Sequence, residues 1–387
     1  MQTEYSHIAA YEGTEIADAA KRVLTDPELL TWLKRTAGIR IPRFVASMIS
    51  GLLKMSHNPR LLIDKWLVLP FLSKIEKQST AGVTLYKEAP TDGSHFYITN
   101  HRDIILDAAF LSALLWKDSR NRPYLGVGNN LFGKPWIEDL MRICRCFAVI
   151  RNSSPRELMQ NAATLSAYIA SLREKGESFW LAQRQGRAKD GNDLTQPSVL
   201  KMLILATKSD PIDALQQLNL TPVSITYEYD PCDYLKAREM QLKRDNPAYK
   251  KTAREDMLNM QTGLQGQKGS VSFVVTPCIN SELESLRGKT ISTEDGTTTP
   301  LSKNDILREA AAIIDRHIHK AYRLAWTNTA ALDIIEGKPN QQMEDYIQSR
   351  IDLIHIPNRD DAFLRDCLLN MYANPARNKR IAQQHSL

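Results

Sequence analysis

Residues 95–116 read His95-Phe-Tyr-Ile-Thr-Asn-His101-Arg-Asp103-Ile-Ile-Leu-Asp107-Ala-Ala-Phe-Leu-Ser-Ala-Leu-Leu-Trp116, and this segment carries the clearest signal of the fold class. Its first part, 96–99, is a short apolar and aromatic run that is typical of a buried strand. The apolar residues after Asp107 recur at helical spacing, which predicts a helix. The polar residues 100–103 therefore lie on a strand-to-helix connection, where side chains gather at the carboxyl edge of an α/β sheet.

The polar residues of this connection allow two interpretations. A histidine side chain can titrate near neutral pH and a carboxylate can orient it, so His101 and Asp107 can form a general base that takes a proton from a hydroxyl. Alternatively, Asp103 is the N-cap of the helix, Asp107 is a first-turn acid favoured by the helix dipole, and His101 is a loop residue. The segment alone supports both interpretations about equally.

The spacing of the two residues sets a condition on the first interpretation. Asp107 is six positions after His101, which is about 240° around a regular helix, so the two do not share a helix face. They can meet only if His101 lies in the loop before the helix begins. Asp103 is then a rival for the role of orienting the imidazole.

The composition is that of an ordinary globular protein, with 43% hydrophobic and 24% charged residues among 387. No apolar stretch approaches the roughly 20 residues that span a bilayer, and the first residues lack the features of a signal peptide. We therefore expect a cytoplasmic protein.

The cysteines and histidines give no sign of a metal site. The five cysteines show neither C-x-x-C nor zinc-finger spacing, which predicts free thiols in a reducing compartment. His317 and His319 point to different faces of a predicted helix and make a poor metal pair.

The net charge of +6 favours anionic partners such as phosphate esters, acidic carrier proteins or membrane headgroups. No nucleic-acid signature is present, since RNA-recognition motifs, zinc knuckles and dense Lys/Arg runs are all lacking.

The patterning along the chain predicts three regions: a helical N-terminal region at 1–80, an α/β domain at 81–286 and a helical C-terminal extension at 301–387. Strands are expected at 83–86, 96–99, 124–127, 146–150, 178–182, 221–227 and 271–275. Their alternation with helices predicts an α/β fold, with a mainly parallel sheet flanked by helices and helical extensions at both ends.

Two helical segments have a composition suited to surfaces. The apolar stripe at 44–53 is flanked by Arg40, Arg43 and Lys54, which is the composition of an interfacial helix. Such a stripe is nevertheless more often part of a core. The segment 233–262 is basic, which usually means a solvated helix face, although its cations could attract an anionic membrane or an acidic carrier protein.

Three further loops after predicted strands carry groups that bind anions. The first places Arg151 at a strand end, and the second contains Gln185, Gly186 and Arg187. Glycine lets a backbone approach a ligand closely, and arginine matches phosphate oxygens. The third enters a strand through Pro222, which rigidifies the chain there.

In order and spacing, these segments resemble the glycerophosphate acyltransferase family, which includes glycerol-3-phosphate and lysophosphatidate acyltransferases. The family's Asn-His followed by Asp is similar to Asn100-His101 and Asp107. Its hydrophobic stretch ending in Arg is similar to 147–151, its Glu-Gly-Thr-Arg is similar to 185–187, and its hydrophobic-Pro entry is similar to 220–223. The resemblance covers roughly residues 81–280.

The resemblance implies transfer of a fatty acyl group from a thioester on acyl carrier protein or coenzyme A to a hydroxyl of glycerol-3-phosphate or a lysophospholipid in phospholipid synthesis. It implies that His101 is the base and Asp107 its orienter, and that no metal or redox cofactor takes part. Because the product would be a lipid and no segment is long enough to span a bilayer, we expect peripheral contact with the inner face of the cell membrane, or release of the product to another carrier. The residues that the resemblance assigns to the substrate site are Asn100, Arg102, Asp103, Arg151, Gln185, Gly186, Arg187 and Pro222.

The sequence departs from the family pattern in two places. Five residues separate His101 from Asp107 where the family has four, and Gln185 replaces a glutamate, which keeps an amide carbonyl but loses the charge. Two alternatives therefore stay open: an acyltransferase for the hydroxyl of an amino-acid-containing lipid, and an inactive homologue that binds membrane surfaces.

Overall fold

The computed structural model describes residues 5–37, 42–150, 154–292 and 298–384. The helices of the first half of the chain are α1 (Thr14–Thr25), α2 (Pro27–Ala37), α3 (Arg43–Met55), α4 (Pro59–Ile63), α5 (Leu69–Ser79), α6 (Leu106–Ser119), α7 (Pro135–Ile143) and α8 (Pro155–Arg173). A π-helical turn, Asp64–Val68, joins α4 to α5. The later helices are α9 (Pro197–Leu203), α10 (Pro211–Leu218), α11 (Asp233–Asp245), α12 (Ala253–Gln265), α13 (Asn280–Glu284), α14 (Lys303–Lys320), α15 (Trp326–Ile335), α16 (Gln341–Ile351) and α17 (Asp361–Gln384).

The strands of the main sheet are β1 (Gly82–Lys87), β2 (Phe96–Thr99), β3 (Tyr124–Gly128), β4 (Cys146–Val149), β5 (Phe179–Ala182), β6 (Leu220–Tyr227) and β7 (Ser270–Val275). A short hairpin of β8 (Thr290–Ser292) and β9 (Thr298–Pro300) follows. The seven strands predicted from apolar runs are all found, and their ends differ from the predictions by at most one residue.

The sheet has the order β1-β7-β6-β2-β5-β3-β4. Strand β6 runs antiparallel to β7, whereas β1 with β7, β2 with β6, and β3 with β4 and β5 are parallel pairs. Because parallel sheets carry helices on their faces, the strands read as continuous apolar runs, and β2, β3 and β6 are buried along their whole length. The predicted α/β fold with a mainly parallel sheet is confirmed.

The chain forms two compact units built from interleaved segments. One consists of Met1–Ser73, Arg122–Leu181 and Met202–Lys208, and the other of Lys74–Asn121, Ala182–Lys201 and Ser209–Leu387. In the first unit, buried residues of α1 pack with Leu53 and Ile143. In the second unit, α15, α16 and α17 share a core with Ala237 of α11. The three consecutive regions read from the sequence remain a prediction.

The apolar stripe of α3 is exposed. Phe44, Met48 and Leu52 have 71%, 55% and 50% of their surface exposed, whereas Ala46 and Leu53 are buried. The expectation that the stripe is core is therefore wrong for this face of the helix. Two further large apolar side chains are exposed in the segment after α3: Trp66 of the π-helical turn at 64% and Phe71 of α5 at 49%.

The basic segment 233–262 forms α11 and α12, and most of its cations are paired. Lys236 is buried against Asp230, and Arg238 lies 2.7 Å from Glu255. Further ion pairs join Lys243 to Glu239, Arg244 to Asp245 and Asp360, and Lys251 to Asp256. Neighbouring carboxylates therefore offset most of the positive charge of these cations locally.

All five cysteines have free thiols. Among the described residues, no three His, Cys, Asp or Glu side chains are grouped so that they could hold a metal ion. Within the same residues, none of the helices has the length and apolar character needed to cross a membrane.

Candidate active site

Asn100 fixes the point at which the central strand β2 gives way to the connection. Its amide donates to the carbonyl of Ile225 at 2.8 Å, and its side-chain oxygen accepts from the Ile225 N–H at 2.7 Å. The Asn100 side chain is buried. It thus replaces a backbone pair between β2 and β6 and leaves the next residue, His101, at the carboxyl edge of the sheet.

His101 and Asp107 meet across the start of α6. His101 Nδ1 lies 2.8 Å from Asp107 Oδ2, with 13% of the histidine side chain and 1% of the aspartate side chain exposed. Helix α6 begins at Leu106, so His101 lies in the loop and Asp107 in the first turn. His101 therefore lies before the helix begins, as the six-position separation requires if the two side chains are to meet.

The Asp107 carboxylate is held by the backbone as well. Oδ2 accepts from the N–H groups of Arg102 at 2.6 Å and Asp103 at 3.0 Å. An acceptor fixed in this way keeps the proton of the imidazole on Nδ1, so Nε2 is the nitrogen that can take a proton from a substrate.

Asp103 caps α6. Its Oδ1 accepts from the N–H groups of Ile105 at 2.8 Å and Leu106 at 2.7 Å, which are among the unpaired donors of the helix start. Burial raises the pKa of the Asp103 carboxyl, and the charge of Asp107 raises it further. The two interpretations of the sequence therefore combine: Asp103 has the geometry of the cap, and Asp107 has the geometry of the orienter.

Helix α12 approaches Asp103 closely through a glycine. A β-carbon built on Gly263 would lie 2.2 Å from Asp103 Oδ2, so no larger residue fits without displacing the carboxylate. Gly263 was not singled out from the sequence, since a lone helical glycine carries no signal of what packs against it.

Arg102 is engaged in a buried ion pair. Its Nη2 lies 2.7 Å from Asp193 Oδ2, and both side chains are at least nine-tenths buried. The carbonyl of Arg102 accepts from Lys236 Nζ at 3.3 Å. Asp193 was not predicted, because nothing in its neighbourhood on the chain indicates a partner about 90 residues earlier.

Arg187 lies beside the same connection. Its Nη2 donates to Asn259 Oδ1 at 2.8 Å, and its buried Nη1 has no hydrogen-bond partner among the described residues. Burial alone would lower the pKa of Arg187, but Cys232, Asp230 and Asp103 outweigh burial and raise it. The guanidinium therefore stays charged, and Cys232 is a further hydrogen-bond partner of this side chain.

The other predicted site residues are placed as follows. Gln185 is exposed, and its N–H donates to Gln196 Oε1 at 2.8 Å. Gly186 has φ +72°, a left-handed conformation that favours glycine. Pro222 is buried in β6 opposite Ile98 of β2. Arg151 lies outside the described residues.

Tyr227 carries a buried hydroxyl near Asp107 and Asp103 that sequence reasoning missed. Burial raises the pKa of Tyr227 well above 10, and the carboxylates of Asp107 and Asp103 raise it further. The phenol therefore stays protonated and can act as a donor towards these carboxylates. Tyr227 was not predicted as a site residue because it lies inside the apolar run of a predicted strand.

Comparison with known proteins identifies this part of the chain. Residues 82–211 match the family model described as Acyltransferase. This range includes the connection with His101 and Asp107 and the loop with Arg187. A comparison with the curated proteins gave no match. The resemblance seen in the motifs is confirmed over these residues, and the chain is an enzyme that carries an acyltransferase domain.

Proposed function

We propose that this enzyme transfers a fatty acyl group from an acyl thioester, on acyl carrier protein or coenzyme A, to a hydroxyl of glycerol-3-phosphate or a lysophospholipid in phospholipid synthesis. The observation that carries the proposal is the 2.8 Å contact between His101 Nδ1 and Asp107 Oδ2 at the carboxyl edge of the sheet. The acceptor class rests on the family resemblance and on the cation at Arg187.

In the proposed reaction, His101 Nε2 takes the proton of the acceptor hydroxyl while the hydroxyl oxygen attacks the thioester carbonyl. Asp107 stabilises the imidazolium that forms, because its carboxylate is fixed by two backbone N–H groups. The tetrahedral intermediate then collapses, the carbon–sulfur bond breaks, and the imidazolium returns its proton to the departing sulfur. A thioester is already activated, so no acyl-enzyme is required.

For the acceptor's anionic group we propose Arg187, with Arg151 as a second cation and Gly186 allowing close approach of the loop. The unused Nη1 of Arg187 supports this assignment. The other predicted substrate contacts are engaged elsewhere: Asn100 by Ile225 and Arg102 by Asp193. These contacts favour a role in shaping the connection rather than in binding.

We also propose that the enzyme works in the cytoplasm, peripherally on the inner face of the cell membrane. The exposed apolar residues of α3, among them Phe44 and Met48, support this contact, because a soluble protein seldom exposes a row of large apolar side chains.

The test is a release assay. The purified protein is incubated with acyl-coenzyme A or acyl carrier protein thioester and with glycerol-3-phosphate, lysophosphatidate or an amino-acid lipid that carries a free hydroxyl, and the released thiol is measured. We expect release that depends on one of the two phosphate acceptors. Release with the amino-acid lipid alone would replace the acceptor class, and no release with any acceptor would reject the proposal.

A further inference from the structure

We infer that Asp193 is a positioning residue of the acyl-transfer reaction, which holds the His101 connection in place through Arg102. This inference rests on the proposed function, since it assigns Asp193 a part in the same chemistry. It differs from the substrate-binding role that the sequence suggested for Arg102.

The two residues that flank His101 in the sequence both contact one carboxylate oxygen of Asp193. Asp193 Oδ2 lies 2.7 Å from Arg102 Nη2 and 3.4 Å from Asn100 Nδ2. Asn100 and Arg102 flank His101 in the sequence, so Asp193 restrains the backbone on both sides of it. Tyr322 donates a third hydrogen bond to the same oxygen at 3.0 Å.

Asp193 is itself held in place by α14. Its carbonyl lies 2.7 Å from His319 Nε2 of α14. Two residues on, the N–H and hydroxyl of Thr195 donate to Asp315 Oδ1 at 2.8 and 2.6 Å. The loop after β5 is thus tied to α14, and a restraint anchored in this way can fix the geometry of the connection.

Loss of the Asp193 charge would leave the buried guanidinium of Arg102 without its ion-pair partner. A buried guanidinium without its carboxylate seeks another partner, because an isolated buried charge is costly. Burial by itself lowers the pKa of Arg102, whereas nearby acidic groups raise it, Asp193 most strongly and Asp107 among the others. Without Asp193, Arg102 would compete with His101 for Asp107.

The experiment compares Asp193→Asn, Arg102→Met and the double variant Arg102→Met/Asp193→Asn in the release assay. We expect Asp193→Asn to lower kcat by about 100-fold, the scale of a misplaced catalytic group. The KM values for donor and acceptor should stay within about three-fold, because the lost interaction is not a binding contact. The double variant lacks the unpaired charge of Arg102, so its kcat should be at least about ten-fold higher than that of Asp193→Asn.

A second readout does not depend on turnover. The proton between His101 Nδ1 and Asp107 Oδ2, which lie 2.8 Å apart, should give a low-field proton NMR resonance that is lost in His101→Gln. It should shift or broaden in Asp193→Asn and return in the double variant. If Asp193→Asn does not fold, the resonance is measured in the double variant alone. Its absence from the double variant would overturn the inference.

Asp233→Asn is the matched control, since Asp233 is equally buried, pairs with Arg350 at 2.7 Å and accepts from Tyr372 at 2.8 Å. It should lower thermal stability and leave kcat and the resonance unchanged. Any of three results would overturn the inference. The first is a rise in acceptor KM in Arg102→Met, and the second is a kcat of the double variant no higher than that of Asp193→Asn. The third is an equal loss of kcat in Asp193→Asn and in the control. Absence of turnover in the wild type would reject the proposed function, whereas the resonance would still test the role of Asp193.

Discussion

The imidazole of His101 and the carboxylate of Asp107 lie 2.8 Å apart although Asp107 is six positions further along the chain. The contact exists because α6 begins only at Leu106, so the intervening residues form a turn rather than a helix. The backbone N–H groups of Arg102 and Asp103 then close this turn onto Asp107.

The first prediction concerns this pair. His101→Ala should abolish turnover, and Asp107→Asn should lower kcat by about 10²–10⁴-fold, because the amide cannot stabilise the imidazolium. Asp103→Asn should be milder, since an asparagine still caps α6. Steady-state kinetics with thermal denaturation as the folding control will measure this. If Asp103→Asn proved more damaging than Asp107→Asn, the orienting role would pass to Asp103.

The second prediction concerns Gly263. Gly263→Ala should displace Asp103 and cost about 1–3 kcal/mol of stability, a typical overpacking penalty, together with a fall in kcat. The displacement follows because the new β-carbon would lie 2.2 Å from Asp103 Oδ2. Urea unfolding and kinetics check both effects.

Gly51→Ala in α3 is the matched control, since a β-carbon at Gly51 meets nothing within 4 Å. It should be neutral or stabilise by up to about 1 kcal/mol through the better helix propensity of alanine. Similar losses of stability in the two variants would mean that Asp103 is not the reason for glycine at 263.

The third prediction concerns Arg187. Arg187→Met should raise the acceptor KM by about ten- to a hundred-fold, since a charge-assisted hydrogen bond contributes about 1.5–3 kcal/mol. The donor KM should change little. Lys189→Met is the control, because this cation of the same loop is already paired with Glu239. An unchanged acceptor KM in Arg187→Met would remove the anion-site assignment.

The strands were predictable from the sequence because each is a local signal. The run at 96–99 and the run at 271–275 are apolar, bounded by polar residues, and form β2 and β7 as expected. The direction of β7 was not predictable, since its antiparallel pairing with β6 depends on contacts such as Val223 with Val275, about 50 residues apart.

The site was predictable only as far as its residues are neighbours in sequence. His101 and Asp107 share one connection, so their contact could be expected from the sequence. Asp193, Tyr227 and Gly263 reach the connection from elements that are distant along the chain. Their roles depend on tertiary contacts that no local pattern encodes.

The fourth prediction is a pH dependence at Lys268. Burial lowers the pKa of this lysine from 10.5 to about 8, while its Nζ donates to Ser79 Oγ at 2.9 Å. The unfolded chain keeps its proton up to about pH 10.5, whereas the folded protein releases it near pH 8. Between these values the unfolded state binds more protons, so stability rises with pH.

The contribution should be at most about 3 kcal/mol, and it should be absent from Lys268→Met. We compare the urea midpoints of the wild type and Lys268→Met from pH 8 to pH 10.5. The difference between the two curves gives the contribution of the Lys268 titration to stability. Parallel curves for the two proteins would show that the titration of Lys268 does not contribute.

The last prediction concerns the exposed apolar face of α3. Met48 and Leu52 are one helical turn apart, 55% and 50% exposed, and Phe44 extends the row in the other direction. We predict that the protein sediments with anionic liposomes at low salt and that Met48→Asp with Leu52→Asp releases it. Because both side chains are at least half exposed, the thermal midpoint should stay nearly unchanged.

The matched control is Leu353→Asp with Ile381→Asp, which adds the same charge at residues that are 46% and 51% exposed, one in the turn after α16 and one on α17. This variant should sediment like the wild type.

Salt should weaken binding only in part, because Lys54 is paired with Asp18 and most cations of α11 and α12 are also paired. Burial of apolar side chains is then the main driving force of binding. Equal release of both double variants would show that added negative charge, rather than the α3 face, governs binding.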